Sequence, residues 1–119
     1  MAGSASVHWD GDVIRVHYRG YIDGAAMQQA TDGVKRCLMQ RRASAVLFDT
    51  LEVEGYSAEV RAPGIEMFRA LKDHALARAV AISTSSAVRM MGSVFAFATG
   101  MPLEFVESRA EGERRVALR

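Results

Sequence analysis

The sequence lacks several features that would point to particular classes of protein. It contains one cysteine, Cys37, so an internal disulfide and a metal site built from several cysteines are both excluded. Such low cysteine usage is typical of a reducing compartment, and we predict a cytoplasmic location. The 15 basic and 14 acidic side chains nearly cancel. No overall field therefore attracts nucleic acid or an acidic membrane, and no nucleic-acid partner is predicted.

Targeting and membrane signals are equally scarce. No apolar run reaches the about 18–20 residues that a membrane-spanning helix needs, so no integral membrane segment is predicted. The stretch Met1–Ser6 has neither a basic start nor an apolar core, and we expect no signal peptide. The 119 residues are enough for one self-sufficient core, and we predict a single domain over residues 1–119.

The motifs of common catalytic and metal centres are also missing. The histidines are dispersed and none has a second ligand at a spacing such as HExxH, so no metal site is predicted. No Ser-His-Asp arrangement or carboxylate pair can be placed together, and a P-loop is excluded. We predict no catalytic residues, no cofactor and no enzymatic activity. An enzyme using Asp49, Ser57 or the hydroxyls at 83–86 would require these groups to meet in one cleft.

The clearest structural signal that is present is the apolar run Ala45–Phe48, followed by Asp49 and Thr50. A continuous run without alternation is typical of a central strand that is covered on both faces. Sites in open α/β sheets often lie at the carboxyl end of such a strand, which makes Asp49 a candidate. An acid in this position also commonly bonds the backbone of its own turn, and we favour that role. The following stretch, Leu51–Ser57, is predicted to be a loop.

Residues 7–19 are typical of a β-hairpin around Asp10-Gly11, because glycine tolerates the positive φ of a type I′ turn. On the second strand, apolar and basic residues alternate, which predicts a core side and a solvent side. The core side comprises Ile14, Val16 and Tyr18, and the solvent side comprises Arg15, His17 and Arg19. The basic residues could contact phosphate or RNA, but no aromatic stacking partners accompany them, and a solvated face is favoured.

Helices and strands alternate after the hairpin. Asp23 is predicted to cap the first helix, and Pro63-Gly64 to lie in the first turn of the second. The second helix has a predicted buried stripe of Ile65, Phe68, Leu71 and Ala75. The later predicted elements are a strand at 78–82, a helix at about 87–99, a strand at 103–107 and a helix at 110–118. The order β-β-α-β-α-β-α-β-α predicts an α/β fold with a mixed, mostly parallel sheet of about five strands, an N-terminal β-hairpin and about four helices.

The hydroxyl run Ser83, Thr84, Ser85 and Ser86 ends a predicted strand and opens a predicted helix. Free N–H groups and the positive end of a helix can hold an anion there, and Arg89, one turn later, could add a charge. Capping of the helix by one or two of these hydroxyls is the simpler interpretation.

The third predicted helix is apolar on most sides. Its large apolar residues are Met90, Met91, Val94, Phe95 and Phe97. Such a helix is most often buried. The alternatives are a homodimer interface and the wall of a pocket for an apolar small molecule, since methionine suits adaptable apolar contacts. Contact with a membrane surface ranks last because the helix lacks a basic face.

Several apolar and turn patterns along the chain occur together in one known family. They are the hairpin around Trp9–Asp12, the strand Ala45–Asp49, the stretch Phe68–His74 followed by Arg78–Ile82, and the strand Leu103–Val106. With these features, nearly the whole chain resembles the SpoIIAA-like family, which is related to STAS domains and, more loosely, to CRAL-TRIO lipid-transfer domains. The resemblance implies a mixed sheet packed against helices and no catalytic centre common to the family.

The resemblance also implies a position for regulation. STAS domains that act on anti-sigma factors carry a phosphorylatable serine in the loop leading into the helix after the central strand. The corresponding position here is near Ser57, which is the candidate for phosphorylation. The family's Asp-Ser-Ser/Thr-Gly pattern is replaced by Gly55–Glu59, and Ser83–Ser86 stand where SpoIIAA-like members often have a basic-Trp segment.

We therefore predict a non-enzymatic regulatory or protein-interaction domain of STAS-like type. Its partner is predicted to be a protein, including a second copy of the chain in a homodimer. The alternative is a small carrier or sensor of an apolar, lipid-like ligand beside the third helix.

Overall fold

The computed structural model describes residues 2–118. Met1 and Arg119, the two ends of the predicted domain, lie outside the described residues. The elements in chain order are β1 (Ser4–Asp10), β2 (Val13–Ile22), α1 (Gly24–Gln40), β3 (Ala45–Tyr56), α2 (Arg61–Asp73), β4 (Arg78–Ile82), α3 (Ser86–Thr99), β5 (Glu104–Val106) and α4 (Arg109–Val116). A short 3-10 turn, Ala58–Val60, precedes α2. Within residues 2–118, no helix combines the length and the apolar character needed to cross a membrane.

The five strands form one sheet in the order β1-β2-β3-β4-β5. The hairpin strands β1 and β2 are antiparallel, and all other neighbouring strands are parallel. This arrangement confirms the predicted mixed, mostly parallel sheet and places β3 at its centre. Parallel neighbours are joined by the helices, as crossover connections require.

The central strand is covered on both faces, as its uninterrupted apolar run predicts. Val46 and Phe48 belong to the core beneath α1 and α2, whereas Ala45 and Leu47 pack with Val116 of α4 on the opposite face. Three helices therefore lie on one side of the sheet and α4 lies on the other. Each side chain of the run is buried, because successive residues of a strand point to opposite faces.

β3 is longer than predicted, and the predicted loop Leu51–Ser57 is wrong. The strand continues to Tyr56 because β2 extends to Ile22 and pairs with it along this length, through two register shifts. Pairing with β4 stops at the Asp49–Ile82 pair. Asp49 therefore lies inside β3, at the level where the neighbouring strand β4 ends. The alternating polar residues of this second half are typical of a strand that is no longer covered on both faces.

Two local predictions also need correction. Asp10 pairs with Val13, so the two turn residues of the hairpin are Gly11 and Asp12, one position later than predicted. Gly11 has a φ of 61° but Asp12 has no positive φ, which fits a type II′ turn and not the predicted type I′. Ala75 does not belong to the buried stripe of α2, because that helix ends at Asp73 and Ala75 is exposed in the connection to β4.

Candidate functional site

The apolar helix α3 is largely unburied. It packs mainly against α2, which lies between α1 and α3. Of its 14 residues, Phe95 alone is buried. The prediction that so apolar a helix is buried is therefore wrong. The reason is its place at the end of the helix layer, where α2 covers one side and the remaining side meets solvent.

One side of α3 forms an exposed apolar surface. Phe97 is 93% exposed and Met90 is 63% exposed. We use the name outer stripe for Met90, Val94 and Phe97 together with the small residues Ala87 and Ala98. Single exposed apolar residues are common on proteins, but contiguous apolar surfaces mark sites of interaction.

The neighbouring helix α2 adds positive charge beside α3. Its exposed residues include Arg61, Arg69 and Lys72. Lys72 Nζ donates to the carbonyl oxygen of Gly100 at 3.2 Å, at the carboxyl end of α3. Arg61 and Arg69 form no ion pair with any other residue of 2–118. Of the two acids of α2, Glu66 faces α1, where Lys35 Nζ lies 3.7 Å from its carboxylate, and Asp73 is exposed as the last residue of the helix.

The hydroxyl run before α3 is used mainly by the backbone. Ser85 Oγ accepts a hydrogen bond from Val88 N at 3.3 Å, which caps the helix. Ser83 Oγ accepts from Ser85 N at 3.1 Å, and the Arg89 guanidinium donates to the Ser83 carbonyl oxygen at 3.0 Å. The remaining two hydroxyl-bearing residues, Thr84 and Ser86, are exposed. Capping is thus observed, and anion binding by Ser83, Thr84, Ser85, Ser86 and Arg89 stays a prediction.

Ser57 directly follows β3 and leads into α2 through the 3-10 turn. Its backbone N–H donates to the Ile22 carbonyl oxygen at 3.0 Å. Its Oγ is enclosed and has no hydrogen-bond partner within residues 2–118. The hydroxyl of the preceding residue, Tyr56, donates to the carbonyl oxygen of Ala87 at 2.7 Å. This bond brings the first turn of α3 to the end of β3 that carries Ser57.

A cavity of about 80 Å³ lies between α3 and the sheet. Phe48 and Ala81 line it from the sheet, Phe68 from α2, and Met91 and Phe95 from α3. The five apolar residues that are predicted to form one surface on the third helix therefore fall into two groups. Met91 and Phe95 line the cavity, whereas Met90, Val94 and Phe97 belong to the outer stripe.

Tyr18 also lines the cavity, although the sequence does not identify it as a site residue. It is 6% exposed, and its hydroxyl forms no hydrogen bond within residues 2–118. Burial raises the pKa of Tyr18. Alternation on β2 correctly predicted that Tyr18 points to the core, but alternation cannot indicate an unfilled space there.

The predicted basic stripe on β2 is paired with acids on the α4 side of the sheet. Arg15 contacts Asp10 at 2.8 Å and also the carboxylate of Glu113. His17 Nε2 lies 2.6 Å from a carboxylate oxygen of Glu52, and Arg19 lies 3.8 Å from the same carboxylate. A stripe paired in this way leaves little free positive charge for a phosphate backbone. The predicted solvated face holds for Arg19, which is exposed, whereas Arg15 and His17 are half-buried on the side of the sheet that α4 covers.

Asp49 is part of the same charged surface. Its carboxylate accepts from Leu51 N at 3.2 Å, which is the local backbone bond that the sequence favours, and from Arg109 Nε at 2.7 Å. The hydrogen bond to Asp49 raises the pKa of Arg109. Asp49 therefore joins β3 to the start of α4.

The residues considered for an enzyme do not meet in one cleft. Asp49 and Ser57 are separated along β3 by roughly 25 Å, given the rise of an extended strand. Ser83 is committed to the turn that precedes α3. Within residues 2–118, no group of three or more metal-binding side chains is found.

No model of a known protein family matches the sequence, and no curated protein matches it either. Several solved structures are similar to the structure of this chain. SpoIIAA in its unphosphorylated form, an anti-sigma factor antagonist, is 13% identical with a TM-score of 0.73, and the match covers 96% of this chain and 97% of that one. The Bacillus cell fate determinant SpoIIAA in the phosphorylated form is 17% identical with a TM-score of 0.69, covering 95% and 99%.

A third similar structure is an uncharacterized DUF3478-family protein with a SpoIIAA-like fold from Shewanella loihica PV-4. It is 14% identical with a TM-score of 0.65, and the match covers 96% of this chain and 93% of that one. At these identities the likeness concerns the fold. The chain has the SpoIIAA-like STAS fold, which confirms the fold predicted from the sequence.

Proposed function

We propose that the chain is a non-enzymatic regulatory domain that binds a partner protein through the outer stripe of α3. The observation that carries this proposal is the exposure of Phe97 (93%) and Met90 (63%) on a helix with one charged residue. Aromatic and methionine side chains are enriched in protein interfaces. The fold supports the proposal, because SpoIIAA is an anti-sigma factor antagonist. A cytoplasmic location fits the single, buried Cys37.

The partner that fits this surface presents an apolar groove bordered by carboxylates. The apolar groove would receive Met90 and Phe97, and the carboxylates would face the cationic side of α2 with Arg61 and Arg69. A second copy of the chain fits less well, because an isologous contact would bring the two cationic sides near each other. We therefore propose a different protein as the partner, with the homodimer as the competing outcome.

Site-specific photo-crosslinking in the native host would identify this partner. A photoreactive phenylalanine analogue is placed at position 97, and the crosslinked protein is identified, expressed and purified. The purified pair is then titrated. Phe97→Ser is expected to weaken binding by about 30-fold or more, since central aromatic residues of an interface contribute about 2 kcal/mol or more.

Met39 provides the matched control, because it is 85% exposed but lies at the end of α1. Met39→Ser should leave the affinity unchanged within about twofold. Equal loss in both variants, or a complex insensitive to Phe97→Ser, would contradict the proposed surface. A dimer by light scattering that Phe97→Ser dissociates, with no second protein crosslinked, would replace the proposed partner by a second copy.

We further propose that phosphorylation of Ser57 controls this binding. The enclosed Ser57 Oγ has no room for a phosphate as it stands, so modification would displace the junction between β3 and α2. The added charge would be favoured by the amino end of α2 and by Arg61. Because Tyr56 bonds the first turn of α3, the displacement would reach the proposed docking surface.

The modification is tested by intact-mass measurement on the protein purified from its native host. A phosphate that maps to Ser57 and is absent from Ser57→Ala, but present in Ser83→Ala, would support the proposal. No phosphate under any growth condition, or phosphate at another residue, would overturn it.

A second candidate function is the binding of an apolar small molecule next to α3. One observation favours it, namely the cavity between α3 and the sheet. Carriers and sensors of small molecules commonly hold them in such apolar spaces, with a few polar groups to set orientation.

A further inference from the structure

We propose that the cavity beneath α3 binds a neutral, compact and mainly apolar molecule with one hydrogen-bonding group, and that the Tyr18 hydroxyl recognises this group. The inference rests on the second candidate function, ligand binding, and does not depend on the partner protein. It can therefore fail or succeed while the proposed docking surface is unaffected.

The size of the cavity favours a small molecule over isolated waters. Its volume of about 80 Å³ is several times the roughly 10–15 Å³ that one ordered water needs. A water also needs two to four polar partners, whereas apolar cavities stay dry and accept apolar molecules. A ring-sized ligand would restore the dispersion contacts that the lining atoms lack when the cavity is empty.

The lining determines the charge of the ligand. Each lining residue is uncharged, and most are aromatic or aliphatic, such as Phe48, Phe68 and Phe95. Transfer of an ionised carboxylate or ammonium into such a space is strongly unfavourable without a partner charge. The cavity therefore selects neutral molecules and rejects ionised fatty acids.

Tyr18 supplies the polar element of recognition. The side chain lines the cavity and is 6% exposed, and its hydroxyl has no hydrogen-bond partner within residues 2–118. A buried tyrosine hydroxyl usually has such a partner. A hydroxyl or carbonyl group on a bound molecule would satisfy it. The other two hydroxyls of the wall, those of Thr50 and Tyr56, already donate to the carbonyl oxygens of Ile82 and Ala87.

Access to the cavity is provided by half-buried residues around its edge. Val88 of α3 and Leu103 and Phe105 near β5 are partly exposed lining residues. Gly92 of α3 lies over Leu103 and Phe105. A Cβ on Gly92 would stand 3.1 Å from Leu103 Cδ2 and 3.2 Å from Phe105 Cζ. The cavity is therefore open to solvent at this edge, and a ligand can enter there.

The test uses two probes of the same size, p-cresol and p-xylene, with the purified chain labelled at its methionine methyl groups. Met27 and Met91 line the cavity, and Met39, 85% exposed, is the internal reference. Both probes are expected to shift the Met27 and Met91 methyl signals saturably and to leave Met39 unchanged. Tyr18→Phe should weaken p-cresol about 2- to 10-fold, the range for loss of one hydrogen bond, and leave p-xylene within twofold.

Cavity-filling variants complete the test. Ala81 is 5% exposed in the cavity wall, so Ala81→Leu should abolish saturable shifts with both probes, whereas Ala25→Leu at an exposed position of α1 should preserve them. Val53→Phe, at the half-buried edge, replaces Ala81→Leu if that variant does not fold. The absence of saturable shifts in the wild type, or shifts that persist in a folded cavity-filled variant, would overturn the site. Equal p-cresol affinity in Tyr18→Phe would overturn the role of Tyr18.

Discussion

Gly64 of α2 lies directly against the ring of Phe95 of α3, so that a Cβ on Gly64 would stand 2.2 Å from the ring Cζ. The same ring lies 5.5 Å, centroid to centroid, from Phe68, which stacks on Phe48 of the central strand at 5.6 Å. A line of aromatic contacts therefore connects the sheet to α3. The missing side chain at position 64 allows α3 to dock on α2, and this contact fixes both the outer stripe and the cavity wall.

Gly64→Ala is expected to destabilise the protein by about 1–3 kcal/mol. Glycine-to-alanine changes inside helices normally stabilise by about 1 kcal/mol, but the overlap with the Phe95 ring imposes a larger overpacking cost. Urea unfolding followed by circular dichroism would measure the difference.

Gly92→Ala is the matched control, because its Cβ would meet the movable ends of Leu103 and Phe105. We expect a change below about 1 kcal/mol in either direction. In the double variant Gly64→Ala/Phe95→Leu, the smaller side chain should recover part of the loss. Equal effects at the two glycines would contradict the steric explanation.

The start of α3 depends on one of its two adjacent serines. Ser85→Ala should cost about 1 kcal/mol, because it removes the hydroxyl that accepts from Val88 N. Ser86→Ala should stay within about 0.5 kcal/mol, since the Ser86 side chain is exposed and forms no hydrogen bond within residues 2–118. Thermal or urea unfolding of the two variants would measure both changes in stability. A larger loss of stability in Ser86→Ala than in Ser85→Ala would contradict the capping assignment.

Features set by neighbouring residues could be predicted from the sequence. The alternation in β2 placed Ile14, Val16 and Tyr18 in the core, and all three are buried. Asp23 caps α1 through a 2.8 Å bond from Ala26 N. Gly100 ends α3 with a φ of 74°, a conformation that glycine adopts without strain. Each of these outcomes is decided within a few residues of chain.

Features set by distant residues were missed. The second half of β3 does not continue the apolar run of the first half and is predicted to be a loop, but it is a strand because β2 pairs with it. The exposure of α3 depends on which helices lie beside it, and the hydrophobic pattern of α3 does not contain that information. The cavity has walls from several strands and three helices. The pattern of α3 alone indicated one wall, as an alternative, and none of the residues that face it. Ser57 was located through the resemblance, but its enclosed hydroxyl was not foreseen.

Arg15 connects the hairpin to α4 and should contribute more than its neighbour Arg19. It pairs with Asp10 and Glu113 and its side chain is 25% exposed, whereas Arg19 is 59% exposed and lies 3.8 Å from Glu52. Arg15→Met is expected to cost about 1 kcal/mol at low salt and less near 1 M NaCl, since added salt screens partly exposed pairs. Arg19→Met should change stability by less than about 0.5 kcal/mol. If Arg15→Met lowers stability by the same amount at low salt and near 1 M NaCl, Arg15 stabilises the protein through packing and not through its ion pairs.

Burial of the Tyr18 phenol makes a specific contribution to stability in alkaline solution. Because burial raises the pKa of Tyr18 above the ordinary value of about 10, the folded chain holds the phenol proton more tightly than the unfolded chain does. The contribution is fully present below about pH 10 and is lost above it, where unfolding releases the proton, by at most about 1.4 kcal/mol per pH unit. Urea unfolding of the wild type and of Tyr18→Phe should give parallel pH profiles up to about pH 9.5, and above pH 10 the wild type should lose stability faster. Profiles that stay parallel to about pH 11 would mean that the phenol ionises as easily in the folded chain as in water, which its enclosure between the sheet and α3 does not allow.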